Sequence, residues 1–187
     1  MPAFMIRRGR GCVANRNEAG VTIERINDLS IVSLKVSKKS LEEALRQLQL
    51  APPLAATGED PRCLWLGPDR WLLVSASATP DSIIASCNES LAGFLHNAVD
   101  YSAGLVAHRI SGPNAQRLLA SGSGVDFRSE EFPVGTCCRT NFAQVAAIVD
   151  ANVPDQFDLY VDRSYAGYIK DWLCDTSRII ANAVSNS

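Results

Sequence analysis

The run Val99-Asp100-Tyr101-Ser102, followed by Arg109 and then Ser111-Gly112-Pro113-Asn114, gathers a carboxylate, hydroxyls and a cation around one short stretch. The stretch reads as a strand leading into a helix start. Small polar residues at such a point suit an anion or a small ligand, because the first N–H groups of a helix have no partner within the helix. Asp100, Ser102 and Arg109 are therefore the candidate pocket residues. Asp100 also has a plainer role open to it, capping a turn through nearby backbone.

Other reactive side chains gather less around them. His108 alternates with Val106 and Ile110, so it reads as a buried general base or as an imidazole lodged in an apolar sheet face, with no serine elbow or acid partner beside it. His96 lies near a helix end, where a cation meets the helix dipole favourably. The pairs Glu42-Glu43, Glu59-Asp60 and Glu130-Glu131 sit at helix starts or in polar loops, where solvation accounts for them. Gly9-Arg10-Gly11 has no preceding strand, and Ala14 stands where a dinucleotide fingerprint needs its third glycine. Six cysteines include no C-x-x-C, and two histidines are too few for the usual structural zinc spacings. No catalytic residue and no metal site is expected, and the thiols are expected to be reduced.

The elements that would position these residues follow from periodicity. Leu29 to Val36 alternates as a strand, and Ser40 with Glu43 forms a capping box ahead of Leu41, Ala44, Leu45 and Leu48 at helical spacing, ended by Pro52-Pro53. Cys63 to Leu66 and Trp71 to Val74 flank Gly67-Pro68-Asp69-Arg70 as a hairpin. Thr79-Pro80-Asp81 opens the next helix. The same order then recurs: strand Leu105 to Ile110, a helix from about Pro113, a strand region Thr140 to Val149, its partner Phe157 to Val161, and a last helix capped by Ser164. Two hairpins exclude an all-parallel sheet, so the predicted class is α+β with two related strand-helix-hairpin-helix lobes and mainly antiparallel sheets. The predicted divisions are a tail over 1–25, lobes over 26–96 and 97–180, and a tail over 181–187.

Composition excludes whole classes of function. The 187 residues are 47% hydrophobic, enough for a core without staples. Eighteen Lys and Arg against 20 Asp and Glu leave a net charge of -2, which provides no basic field for nucleic acid. The one basic cluster, Arg7, Arg8 and Arg10, reads as a solvated tail. No run of 18 apolar residues occurs and the N-terminus lacks a signal-peptide core, so the expectation is a cytoplasmic protein without a membrane segment.

Longer runs carry a resemblance. Leu66-Gly-Pro-Asp-Arg-Trp-Leu-Leu73, Val99-Asp-Tyr-Ser102, Arg109-Ile-Ser-Gly-Pro-Asn-Ala115, Phe132-Pro-Val-Gly-Thr136 and Val161-Asp-Arg-Ser-Tyr-Ala166 leading to Trp172-Leu173 span about residues 60–175. In order and spacing they resemble the gamma subunit of heterotetrameric sarcosine oxidase, whose fold is akin to the folate-binding T-protein, or aminomethyltransferase. The resemblance implies an accessory subunit beside alpha, beta and delta subunits, in an oxidase that demethylates sarcosine to glycine. The one-carbon unit would go to tetrahydrofolate and the electrons to oxygen, giving hydrogen peroxide. FAD, FMN, NAD, zinc and tetrahydrofolate would sit in the other subunits, with no cofactor on this chain. Asp100 is similar to the aspartate of the T-protein D-x-S segment, which implies a carboxylate near a folate amine, whereas no counterpart of the folate-gripping glutamate segment is present. Trp65, Trp71 and Trp172 are the expected anchors of the interface or the core. The alternatives are a subunit acting on another N-methylated amino acid, and a stand-alone folate-binding transferase.

Overall fold

In β3 (Ser30–Val36), Val32, Leu34 and Val36 are fully buried on one face and Ile31 is buried on the other. Strand side chains alternate between faces, so a strand buried on both lies inside a layered stack. The computed structural model describes residues 16–18 and 20–185, and its layers follow from that alternation.

Five strands make the first sheet, in the order β4 (Ala56–Thr57), β5 (Arg62–Gly67), β6 (Arg70–Ser75), β3 and β7 (His96–Asp100). Six make the second: β1 (Arg16–Glu18), β2 (Val21–Ile26), β8 (Leu105–Ser111), β11 (Gln156–Asp162), β10 (Val145–Val153) and β9 (Cys137–Phe142). Every pairing is antiparallel. Helices α1 (Leu41–Gln47) and α2 (Pro80–Ser90) cover the outer face of the first sheet, through Ala44, Ile83 and Cys87 packed on Val32, Leu34, Trp71 and Leu73. Helices α3 (Ala115–Gly122) and α4 (Ala166–Ser185) cover the second, through Leu118, Leu119, Ile169 and Leu173. The inner faces meet through Ile31, Leu64 and Leu72 on one side and Ala107, Ile148 and Tyr160 on the other. The result is helix, sheet, sheet, helix.

The α+β class with two related antiparallel lobes is what the sequence predicts. The division of the chain is not. The predicted boundary at 96/97 falls inside β7, which pairs with β3 in the first sheet. The predicted tail over 1–25 contains β1 and all of β2 but Ile26, and β2 pairs with β8 of the second sheet, Ile23 opposite Ile110. Each lobe thus has a βαβββα core, flanked by β7 in the first and β2 in the second. Gly112 at the end of β8 has φ 111°, and a Cβ there would collide with the Gly20 carbonyl, so a glycine is required where β2 meets β8.

Local departures have local causes. The region read as one strand over 140–149 is the hairpin β9-β10, whose turn residues Ala143 and Gln144 have φ 46° and 67°. Those angles normally draw Asn or Gly, so the turn was invisible in the sequence. The last helix is opened by Asp162, whose carboxylate accepts from Ser164 N at 2.8 Å, not by Ser164 itself. α4 continues to Ser185, beyond the predicted start of a tail at 181. Thr79 caps α2 as expected, accepting from Ser82 N at 3.3 Å. The side chains of Ser40 and Glu43, and the Arg7, Arg8 and Arg10 cluster, lie outside the described residues. Cys63, Cys87, Cys137 and Cys138 are free and buried, while Cys174 is disulfide-bonded, a departure from six reduced thiols. Among the described residues no helix is long and apolar enough to cross a membrane.

Trp71 is 1% exposed, and its Nε1 donates to the Ala51 carbonyl at 2.8 Å. Trp65 and Trp172 are half-buried against the cores, so none of the three stands free as an anchor. Trp71→Ala is expected to lower stability by about 3–5 kcal/mol in urea unfolding, and Trp71→Phe, which orphans the Ala51 carbonyl, by about 1–3 kcal/mol. Unchanged midpoints would contradict this packing.

Candidate functional site

Two charged pairs lie between the sheets. Asp150 on β10 is fully buried, and Arg62 on β5 reaches it with Nε at 2.5 Å and Nη2 at 2.7 Å. Arg62 also donates to the Ala151 and Gly58 carbonyls, so its fork is nearly filled. Beside it, Arg109 on β8 grips Asp158 on β11 with Nε and Nη2, both at 2.8 Å. Asn152 donates to Asp158 at 2.7 Å, and Gln156 donates to Asn152 at 2.9 Å. Arg62, Arg109, Asn152, Gln156 and Asp158 line a cleft of about 350 Å³, with Asp150 buried behind Arg62 and an apolar side that includes Ile26, Leu29 and Val74.

The alternation of the strands puts them there. On β8, Val106, His108 and Ile110 face the helices, which turns Ala107 and Arg109 inward. On β10, Val149 and Ala151 pack under the helices while Ile148, Asp150 and Asn152 turn inward. Burial pushes the Asp150 carboxyl up while Arg62 pulls it back, and two short bonds from a guanidinium fork are the geometry of an ionised pair. Asp150 and Asp158 hold the Arg62 and Arg109 guanidiniums above their ordinary range. Burial pushes the Tyr160 phenol well above its ordinary value. Near neutral pH the cleft can orient and hold charge, but none of these shifts makes a proton donor or acceptor poised to exchange.

The predicted pocket residues are not brought together. Arg109 lines the cleft, but Asp100 and Ser102 do not. Asp100 is exposed, and its Oδ1 accepts from Ser102 N at 2.9 Å and Ser102 Oγ at 2.6 Å, which lowers its carboxyl below the usual range. Ser102 Oγ in turn accepts from Ile31 N at 2.9 Å, tying the end of β7 to β3. Arg163 reaches back to the Ala103 carbonyl at 2.5 Å and holds the same loop to the second lobe. Asp100 Oδ1 is thus committed to its own turn, apart from the cleft. Asp162-Arg163-Ser164 repeats the turn, with the same two bonds from Ser164 to Asp162 at 2.8 and 2.6 Å.

His108 is 4% exposed and its Nδ1 has no hydrogen-bond partner. Burial first, then Arg25 on β2 and Lys170 on α4, push it down to about 4. That is the core reading of this histidine. His96 bridges Asn88 on α2 and the Phe94 carbonyl, both at 2.9 Å. Cys137 and Cys138 point to opposite faces, and burial raises them to about 12 and about 11, so adjacency does not make them a redox pair. No three His, Cys, Asp or Glu side chains among the described residues are placed to hold a metal ion.

Arg62, Asp150, Asn152 and Asp158 were missed by the sequence reading. A signal existed: Val149-Asp150-Ala151 and Phe157-Asp158-Leu159 each set an acid inside an apolar strand, where a carboxylate needs a buried partner.

The sequence matches the family described as sarcosine oxidase, gamma subunit, over residues 38–179. The chain belongs to the sarcosine oxidase gamma subunit family. Its fold is similar to that of a chain in the heterotetrameric sarcosine oxidase from Corynebacterium sp. U-96 in complex with pyrrole 2-carboxylate, with TM-score 0.77 and 20% identity over 90% of this chain and 89% of that one. It is also similar to the glycine cleavage system aminomethyltransferase T from Bartonella henselae, with TM-score 0.65 and 16% identity over 88% of this chain but 50% of that one. No curated protein sequence matches the chain. Family membership and the T-protein-like fold therefore stand as the sequence predicted.

Two measurements check the site. Arg62→Met strands a buried carboxylate and is expected to lower stability by about 3–5 kcal/mol, most of it recovered in Arg62→Met/Asp150→Leu. A double variant no better than the single would contradict the pairing. His108 is neutral in the fold and protonates more readily when unfolded. Its contribution, about 3 kcal/mol, is thus present above pH 6.5 and lost as pH falls towards 4. Melting temperatures of His108→Leu should fall less steeply over that window than those of the unaltered chain.

Proposed function

We propose that this chain is the gamma subunit of a heterotetrameric sarcosine oxidase, joined to alpha, beta and delta subunits in the cytoplasm. The observation that carries the reading is the family match over residues 38–179. The two-way overlap with one chain of the Corynebacterium enzyme supports it by length and fold. In the proposed assembly sarcosine loses its N-methyl carbon to become glycine, the carbon passes to tetrahydrofolate, and two electrons pass through flavin to oxygen, giving hydrogen peroxide. FAD, FMN, NAD, zinc and tetrahydrofolate belong to the other subunits. This chain supplies no catalytic residue and helps wall off the space in which the one-carbon unit moves, keeping water out.

The pairing of the cleft supports that division of labour. Arg62 bonds to Asp150, Arg109 and Asn152 bond to Asp158, and Asp100 Oδ1 accepts from Ser102 within its own turn. A stand-alone transferase is less well supported, since the chain covers only half of the aminomethyltransferase it resembles. A subunit role with another N-methylated amino acid as substrate would leave this chain's own part unchanged.

The test is native mass spectrometry of the tagged chain purified from its source, with a visible spectrum of the same sample. Three co-purifying subunits and flavin absorbance are expected, and a colourless chain without partners would overturn the reading. Within the assembled enzyme, Asp100→Ala should retain turnover. Lost turnover with intact assembly would place a catalytic group on this chain after all.

A further inference from the structure

The turn Pro52-Pro53-Leu54-Ala55 closes with Ala55 N donating to the Pro52 carbonyl at 3.1 Å, and its third residue, Leu54, has φ 60°. That position favours glycine, because an L side chain is crowded at positive φ. Leu54 is nevertheless 57% exposed. A positive φ and an unburied leucine side chain fall on one residue. The turn Pro133-Val134-Gly135-Thr136 closes the same way, Thr136 N to the Pro133 carbonyl at 3.0 Å, with glycine in third place at φ 89° and Val134 52% exposed.

The two turns are joined. Ala55 bridges Thr136, Ala56 N donates to the Gly135 carbonyl at 2.7 Å, and Cys137 N donates to the Leu54 carbonyl at 3.0 Å. One turn belongs to each lobe, so the pair marks the lobe junction. Three prolines and this lacing fix the surface in advance, which lowers the ordering cost of binding. Next to Val134, Glu130 and Glu131 are exposed, and neither has an ion pair among the described residues. The junction therefore presents fixed apolar knobs beside a net negative segment, in which Arg128 offsets only part of the charge of Asp126, Glu130 and Glu131.

We propose that this junction docks a different subunit of the assembly, one offering an apolar socket flanked by Lys or Arg that receives Leu54 and Val134 and faces Glu130 and Glu131. A second copy of the same chain would bring carboxylates against carboxylates, which disfavours self-association here. The inference rests on the subunit reading above and adds the surface and its partner's chemistry.

The experiment uses the full chain co-expressed with the other three subunits, reading assembly by native mass spectrometry and stability of the chain alone by melting. Leu54→Gly relieves the turn, so its melting temperature should hold or rise while affinity for the other subunits falls by about tenfold or more. Glu130→Lys/Glu131→Lys should weaken assembly most at low salt. Ile179→Ser, on exposed α4, should assemble like the unaltered chain. Leu54→Gly assembling normally, or losing assembly only in step with a lower melting temperature, would overturn the proposed surface. A dimer of the isolated chain that Leu54→Gly abolishes would overturn the choice of partner. Failure of the unaltered chain to join the other subunits would overturn the subunit reading, and this surface with it.

Discussion

A carboxylate with no exposed surface has to be matched from across the core, and Asp150 is such a group. Its partner, Arg62, comes from the other sheet, so the ion pair fixes how the two lobes face each other. An apolar face alone tolerates sliding, whereas a guanidinium fork on a buried carboxylate has one good geometry. Arg109 and Asp158 add a second pair within the second sheet, and Asn152 and Gln156 extend it as a chain of donors. The interior of this protein is thus ordered by charge as well as by volume.

That arrangement sets what the chain can do. In this member of the sarcosine oxidase gamma subunit family the arginines of the cleft are taken by aspartates, so they hold the two sheets before they can hold anything else. The turns at Asp100 and Asp162 underline the point. Both are D-x-S, both are closed by serine onto aspartate, and both end the last strand before a lobe crossing or helix. The D-x-S motif in this chain is a structural joint used twice.

Periodicity made much of the fold legible. β3, the β5-β6 hairpin, α2, β8, α3 and β11 follow alternation or helical spacing, with Thr79 and Pro80 marking a start. β7 was not visible because His96-Asn-Ala-Val-Asp100 is an edge strand with little apolar alternation. β2, Val-Thr-Ile-Glu-Arg-Ile, alternates well but was assigned to the tail, since its partner β8 lies far along the chain. Of Arg62, Arg109, Asp150, Asn152 and Asp158, only one was legible. Arg109 was found, while its partner Asp158 and the neighbouring Arg62 and Asp150 depend on which strands meet, which no local pattern states.

The pairing of β2 with β8 has a consequence for how the chain comes to be folded. The first lobe, β3 to β7, is continuous in sequence, so its pairings are all local to one stretch of about 70 residues. The second sheet cannot seat its early strand until β8 arrives, Ile26 waiting for Ala107 about 80 residues later. The closing of the second sheet is therefore a long-range step that joins β2 to β8, and it also supplies the face on which Ile31, Leu64 and Leu72 of the first lobe are buried.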